Sequence, residues 1–205
     1  MKRLLALGLL ALPSCGLLGE QRVDHLATAQ ITSDFATYDL HRVGLMPFSG
    51  RDLDVDHAQT LQSAFFTEFS LQTPFEVVPL SHRDLEEVRQ TEAYVRGRYE
   101  STMVIELARR FRFDAVLVGT VVDCQVFSPQ RLSVQVDLVA TETGGTIWSS
   151  AVQLDATSPR VREALEAYYR SSDAVEAEDG QGWELALLSP RLFAQFAAWQ
   201  VAKML

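Results

Sequence analysis

The feature of the sequence that most constrains its fold is a hairpin pattern near the middle of the chain. Apolar and polar residues alternate over residues 132–138 and again over residues 148–154. This period of two is typical of β-strands that bury one face and expose the other. The residues that share a face are Leu132, Val134, Val136 and Leu138 in the first run and Trp148, Ser150, Val152 and Leu154 in the second. The letters TETGGT between the runs supply the glycines of a tight turn, so we expect an antiparallel hairpin.

The segments around this hairpin have strand-like and helical patterns in a definite order. Short apolar runs at residues 43–48 and 75–80 predict two strands, and a longer run at residues 114–127 predicts a central strand. Helical patterns cover residues 52–72, a polar stretch capped by Ser81, and residues 100–113, 158–169 and 189–205. The sequence therefore predicts an α/β fold with a mixed β-sheet sandwiched by helices. The order is strand-helix-strand-helix-helix, followed by a three-strand meander and a C-terminal helix.

The N-terminus has the layout of a secretory signal. Lys2 and Arg3 are followed by nine apolar residues, 4–12, and the small residue Ser14 stands directly before Cys15. Nine residues are far fewer than the roughly 20 that a membrane-spanning helix needs. The alternative interpretation is a buried N-terminal helix in which the cysteine is incidental.

The letters LPSC at residues 12–15 resemble the bacterial lipobox. In that motif the signal is cut before the cysteine, which becomes the acylated first residue of the mature protein. The resemblance predicts Cys15 as the lipidation site, and Gly16 rather than Asp after it implies the outer membrane. Two or three acyl chains hold a protein on a membrane almost permanently, since each buried CH₂ contributes about 0.8 kcal/mol.

These patterns divide the chain into three parts. Residues 1–14 are a lipoprotein signal peptide, residues 15–40 a lipid-anchored tether with little periodicity, and residues 41–205 a single α/β domain. The net charge is −9, from 27 acidic and 18 basic residues. This balance argues against nucleic-acid binding, which requires a clustered basic face. It also argues against attachment to an anionic membrane by charge alone, so the membrane contact is expected to pass through the lipid.

Four segments carry a resemblance to a known group of proteins. They are Pro47-Phe48 at the end of the first strand, residues 75–78 (FEVV), residues 114–119 (DAVLVG), and the turn from Thr143 to Trp148. Together they resemble the curli-secretion (CsgG-like) lipoprotein group with its TolB N-terminal-like α/β domain, over residues 41–155. That group includes lipoprotein activators of penicillin-binding proteins and the ring-forming lipoprotein of Pel polysaccharide export. Most matching residues are core and turn residues, which indicate a fold more strongly than a task.

The resemblance implies a protein that is not an enzyme. It implies an outer-membrane lipoprotein that faces the periplasm and acts as an envelope assembly, secretion-accessory or partner-binding module, with its own copies or an envelope protein as partner. Two alternatives stay open: an envelope hydrolase with an unrecognised active site, and a secretion-pore subunit. The second is disfavoured because the alternating segments are already used by the domain's own sheet.

Candidate interaction residues lie in two places. Tyr94 and Arg98 follow the polar helix, and Arg and Tyr are enriched at interfaces, although they are equally common on plain solvent faces. Tyr168, Tyr169 and Trp183 flank an acidic, glycine-bearing segment, where aromatic side chains either anchor a partner or cap the core.

No catalytic, cofactor or small-molecule site is predicted from the sequence. Asp52, Asp54 and Asp56 begin like a calcium loop, but the sixth and twelfth positions lack the required Gly and Glu. The four histidines show no metal-ligand spacing. Cys124 lies in a strand-like run and is interpreted as a buried, inert thiol, with an intermolecular bridge as the alternative.

Overall fold

A computed structural model gives the fold and describes residues 25–51, 53–86, 101–171 and 182–205. Within these residues the strands are β1 (Thr28–Ile31), β2 (Arg42–Leu45), β3 (Ser49–Gly50), β4 (Glu76–Pro79), β5 (Ala115–Gln125), β6 (Arg131–Ala140) and β7 (Thr146–Asp155). The helices are α1 (Val55–Gln72), α2 (His82–Glu86), α3 (Ser101–Phe111), α4 (Pro159–Ser171), α5 (Gly182–Ala186) and α6 (Pro190–Ala202).

The strands form one mixed sheet in the order β1-β7-β6-β5-β2-β4, with β3 paired to β5 off this path. Strands β4, β2 and β5 are parallel, whereas β5, β6, β7 and β1 are antiparallel. The predicted hairpin is β6–β7, with Leu138 opposite Trp148, and Gly144 in its turn has a φ of 69°. This left-handed conformation explains the glycine, because other residues adopt it at a steric cost. The predicted α/β class and the three-strand meander are confirmed.

Helices cover both faces of the sheet. One face packs against α1, α4, α5 and α6 in a large core, whose most buried side chains include Phe65, Phe69, Trp148, Phe193 and Phe196. The other face packs against α2 and α3 in a smaller core around Met46, Leu85, Leu107 and Phe113. The smaller core covers the parallel half of the sheet, which must be buried on both sides because neither face is polar.

Side-chain caps begin helices α1 and α6. The carboxylate of Asp54 accepts the backbone N–H of His57 at 2.8 Å and caps α1. Ser189 caps α6 by accepting the N–H of Leu192 at 3.4 Å, with Pro190 at the first helical position. Each cap satisfies a backbone donor that the first turn of a helix leaves without an intrahelical partner.

The residues that carry the sequence resemblance have structural roles. The Phe48 ring lies so close to Gly119 that a Cβ on this glycine would be 2.3 Å from the ring. Asp114 accepts the backbone N–H groups of His41 and Arg42, each at 2.9 Å, and thereby fastens the start of β2 to the start of β5. The indole N–H of Trp148 donates to the carbonyl of Met204 at 3.0 Å and holds the C-terminus against the sheet.

The N-terminal segment is more ordered than the sequence predicts. Residues 25–40 were assigned to the tether, yet Thr28–Ile31 is an edge strand paired with β7, and Ala27 is buried in the large core. The domain therefore begins at or before His25, and the part of the predicted tether before that residue lies outside the described residues. The strand was missed because its four residues, TAQI, are too short a run to show a period, and its pairing depends on the edge that β7 offers.

We expect Gly119→Ala to destabilise the fold by about 1–3 kcal/mol, the usual range for overpacking a filled core. The added Cβ would have to displace the Phe48 ring from the core. Urea unfolding followed by circular dichroism measures the change.

The matched control is Gly145→Ala in the β6–β7 turn. A Cβ there would meet only the Thr143 hydroxyl at 3.4 Å, an ordinary contact. This substitution should change the stability by less than about 0.5 kcal/mol. Equal effects of the two substitutions would contradict the packing of Phe48 on Gly119.

Candidate functional site

The three aromatic residues that the sequence predicted as candidates for an interaction surface, Tyr168, Tyr169 and Trp183, differ in exposure. Tyr168 is buried, with its ring 5.0 Å from that of Trp199 and 5.4 Å from that of Phe196. Tyr168 is therefore part of the large core, and its assignment to a surface is corrected. It was misassigned because α4 turns this position toward α6, a packing that a sequence pattern of one helix does not show.

Tyr169 and Trp183 are half-buried and pack against the same core. Burial raises the pKa of the Tyr169 hydroxyl. Each keeps an accessible part, so these two residues remain candidates for a contact surface. The other predicted residues, Cys15, Tyr94 and Arg98, lie outside the described part of the chain, as does most of the acidic segment between Tyr169 and Trp183.

A small cavity of about 20 Å³ lies where the start of α1, the β5–β6 hairpin and the start of α6 meet. Its lining includes His57 and Cys124, which are far apart in the sequence. The His57 ring nitrogen Nδ1 contacts the Asp54 carboxylate. A cysteine, a histidine and a carboxylate thus lie in one region, a grouping that the sequence spacing did not reveal.

The environment of Cys124 does not favour its thiolate. The thiol is half-buried rather than buried, and burial is the largest cause that raises its pKa, followed by the negative charges of Asp123 and Asp54. A catalytic cysteine needs the opposite, a pKa lowered by a cation or a helix N-terminus. By contrast, the hydrogen bonds from the backbone and side chain of His57 lower the pKa of Asp54, as suits its capping role.

The described residues contain no group of three His, Cys, Asp or Glu side chains that could hold a metal ion.

An open groove of about 580 Å³ lies between α1 and α6. Its lining is Asp56, Gln59, Thr60, Ser63, Ala64 and Thr67 from α1 and Arg191 and Gln195 from α6. The side chains are short or polar and include one carboxylate and one guanidinium. Such a groove can donate hydrogen bonds to, and accept them from, a polypeptide segment. The sequence analysis missed it because the two helices are more than 100 residues apart.

Glu68 lies behind this groove and is almost completely buried, with an exposed fraction of 3%. Its carboxylate accepts a hydrogen bond from the Gln195 amide at 3.5 Å, which connects the two groove helices. Burial raises the pKa of Glu68, and the hydrogen bond and the charge of Lys203 oppose this effect. The site thus contains a carboxyl group whose charged form is disfavoured by burial.

The N-terminal segment is fastened next to α6. The backbone N–H of Leu26 donates to the buried side chain of Gln200 at 2.8 Å. The ring of His25 stacks on Trp199 with a centroid separation of 6.1 Å. The chain therefore enters the fold at a defined place, which matters for any anchor that precedes it.

No known family and no curated protein matches the sequence. Among solved structures, the chain is similar to a PelC dodecamer from Paraburkholderia phytofirmans, with 15% identity and a TM-score of 0.45, covering 67% of this chain and 89% of that chain. It is also similar to lipoprotein GNA1162 from Neisseria meningitidis (20% identity, TM-score 0.43, 56% and 79% coverage) and to the LpoB C-terminal domain from Salmonella enterica (16%, 0.37, 57% and 84%). At these identities and TM-scores the similarity does not establish membership of a family.

None of the described helices combines the length and the apolar character needed to cross a bilayer.

We expect Glu68→Gln to raise the urea midpoint at neutral pH. The folded-state pKa of Glu68 is raised, so its contribution to stability is greatest below the ordinary pKa of glutamate and decreases as the pH rises through the folded-state value. A Gln side chain is neutral at every pH and can still accept the hydrogen bond from the Gln195 amide. The advantage of the variant should therefore disappear at acidic pH.

The control is Glu142→Gln, at an exposed position in the β6–β7 turn. Unfolding curves at several pH values should show no comparable gain for this variant. A Glu68→Gln protein that is less stable than the wild type at neutral pH would contradict the burial penalty.

Proposed function

We propose that this chain is a non-enzymatic lipoprotein of the outer membrane that faces the periplasm and acts by binding a protein partner. The observation that carries the proposal is the N-terminal sequence, in which a basic start and nine apolar residues lead to Leu12-Pro13-Ser14-Cys15. The acyl chains on Cys15 would anchor a folded domain whose net negative charge gives it no electrostatic attraction to an anionic surface.

The chemistry of the described side chains supports a binding role over a hydrolytic one. The thiol nearest to a histidine has a raised pKa, and the histidine's carboxylate partner is used to cap α1. A hydrolase would need a nucleophile whose environment favours the reactive form. The charged groups at this place instead fasten one element to another.

The groove between α1 and α6 is the surface that we assign to the partner. Its walls are supplied by two helices that pack on each other and on the sheet, so its shape is preorganised. A rigid groove loses less conformational entropy on binding than a loop does. The partner is an envelope protein or a second copy of this chain.

Cys15→Ser should abolish acylation of the protein. In cells fed labelled palmitate, the wild type should carry the label, and its mature N-terminal peptide should begin at Cys15 with the mass of the acyl chains. The variant should carry no label. Mass spectrometry of the N-terminal peptide and gel autoradiography measure both properties.

Cys124→Ser is the matched control, because it removes the other of the two cysteines. It should leave the labelling unchanged. Labelled palmitate on the Cys15→Ser protein at the wild-type level would overturn the proposed anchor.

Substitution of Thr67 with a photoreactive residue should capture the partner of the groove in living cells. Thr67 lines the groove and is exposed, whereas Glu163 on α4 is exposed but outside the groove. Mass spectrometry of the adduct should identify one protein, or this chain itself, at Thr67 and not at Glu163. A full chain that forms no specific adduct and is a monomer in detergent would contradict the binding role.

A further inference from the structure

One end of the molecule presents large apolar side chains to solvent. They are Val55 at the start of α1, Phe127 at the tip of the β5–β6 hairpin, and Leu185 and Leu188 at the corner between α5 and α6. We call these four residues the hairpin-end patch. Phe127 is 81% exposed and Leu188 66% exposed. Single exposed apolar residues are ordinary, but a group of them at one place marks a surface that is covered in the working protein.

The three elements that carry the patch meet at this end of the sheet. His57 of α1, Gln125 of the hairpin and Pro190 of α6 line the same small cavity. The side-chain amide of Gln130 in the hairpin donates to the carbonyl of Ala186 at 3.5 Å, which ties the hairpin to the α5–α6 corner. The four residues thus lie on elements that meet at one end of the sheet.

The hairpin tip holds Phe127 outward on a braced loop. The Gln125 amide donates to the carbonyl of Pro129 at 2.9 Å and to that of Phe127 at 3.4 Å. The guanidinium of Arg131 donates to the Gln125 side-chain oxygen at 2.9 Å across the base of the loop. Because these bonds fix the tip, the exposure of Phe127 is a property of the fold.

The start of β1 is directed toward the same end of the sheet, while His25 and Leu26 lie against Trp199 and Gln200 in the C-terminal half of α6. Strand β1 runs antiparallel to β7, with Thr28 opposite Ala151 and Ile31 opposite Trp148. Residues before Thr28 therefore extend toward Asp155, the end of β7 that lies opposite Arg131 at the base of the hairpin. The carbonyl of His25 is 3.5 Å from the guanidinium of Arg160, near the start of α4 that follows β7.

Distances along the chain keep this end close to an anchor at Cys15. The ten residue steps from Cys15 to His25 span at most about 33–36 Å, even when fully extended. The hairpin is two to three strand positions from β1, roughly 10–14 Å at the usual spacing of strands. A membrane that holds the acyl chains is therefore within reach of Phe127.

The border of the patch carries more carboxylates than cations. Asp123 lies 3.7 Å from Arg131 across the hairpin, and Asp54 contacts His57 at the start of α1. Asp56, next to Val55, and Glu184, next to Leu185, are exposed. Contact with a lipid surface would therefore depend on burial of the apolar side chains and not on charge.

We propose that the hairpin-end patch docks on the lipid surface that holds the acylated N-terminus, with Phe127 and Leu188 inserted among the headgroups. This second contact orients the domain, so that α1 and α6 rise away from the membrane from their N-terminal ends. The short distance to the membrane rests on the proposed function, whereas the patch and its geometry do not.

The test uses the full chain in bacterial envelopes, with benzoyl-phenylalanine placed at position 127, 188 or 71. Leu71 is a matched control, because it is 71% exposed and lies near the far end of α1, about 24 Å along the helix from Val55. After irradiation, mass spectrometry counts phospholipid adducts of the intact protein. We expect about tenfold more lipid adduct at positions 127 and 188 than at position 71, a ratio that corresponds to about 1.4 kcal/mol.

A second experiment tests the inference with the probe at position 55 and with substitutions at Phe127 and Leu188. With benzoyl-phenylalanine at position 55, Phe127→Ser combined with Leu188→Ser should reduce the lipid adduct about tenfold. Leu71→Ser should not reduce it. All three side chains are exposed, so none of these substitutions removes a core contact.

Several results would overturn the inference. Equal lipid adducts at positions 127 and 71 would do so, and a discrete protein adduct at 127 or 188 would assign the patch to a protein instead. The state of Cys15 is read separately from the mass of the N-terminal peptide. If Cys15 is acylated and the lipid adducts at positions 127 and 71 are equal, only the docking of the patch is refuted. If Cys15 is unmodified, the proposed lipid anchor is refuted, whatever the amounts of lipid adduct.

Discussion

Burial of strand β5 on both faces is the constraint on which the architecture depends. Over Ala115–Val118 every side chain is buried, with alternate residues in the large and the small core. Each face therefore needs its own helical layer, and a sheet with one solvated face would leave Val116 and Val118 in water. Two glycines allow aromatic rings to pack directly against the backbone of the sheet. A Cβ on Gly44 would be 2.6 Å from the Phe113 ring, and one on Gly119 would be 2.3 Å from the Phe48 ring. The Pro47-Phe48 segment and the DAVLVG segment of residues 114–119 thus supply the two sides of one contact, in which the Phe48 ring packs on Gly119.

The sequence predicts those parts of the fold whose signal lies within one element. The alternation of residues 132–138 and 148–154 and the Ser81 cap each follow from local chemistry, and each is found in the structure. Strand β1 could not be found in this way, because its four residues pair with an edge that exists only after β7 has folded. Its position changes where the domain begins.

The candidate sites depend even more on contacts between distant segments. Tyr168 is buried because α6 brings Phe196 and Trp199 to it, and a pattern within α4 cannot show this. The groove between α1 and α6, and the cavity that brings His57 near Cys124, arise from helices and a hairpin that are 60 or more residues apart. The chemical character of a site can be inferred only after such neighbours are known, as the raised pKa of the Cys124 thiol illustrates. Its sequence alone was compatible with several roles.

The early start of the domain has a mechanical consequence for a chain anchored at Cys15. A flexible segment of 25 residues, as the sequence suggested, has a root-mean-square length of about 25–30 Å, whereas ten residues give about 16–19 Å. If Cys15 carries the proposed anchor, the shorter segment would keep the domain near the membrane and would restrict its rotation, because His25 and Leu26 are fixed against Trp199 and Gln200. A partner in the α1–α6 groove would then meet the domain from the side, close to the membrane, instead of deep in the periplasm. Restricting a binding surface to a thin layer raises its effective concentration toward partners held in the same membrane. The fastening of a few N-terminal residues to α6 would therefore favour membrane-bound partners over soluble ones.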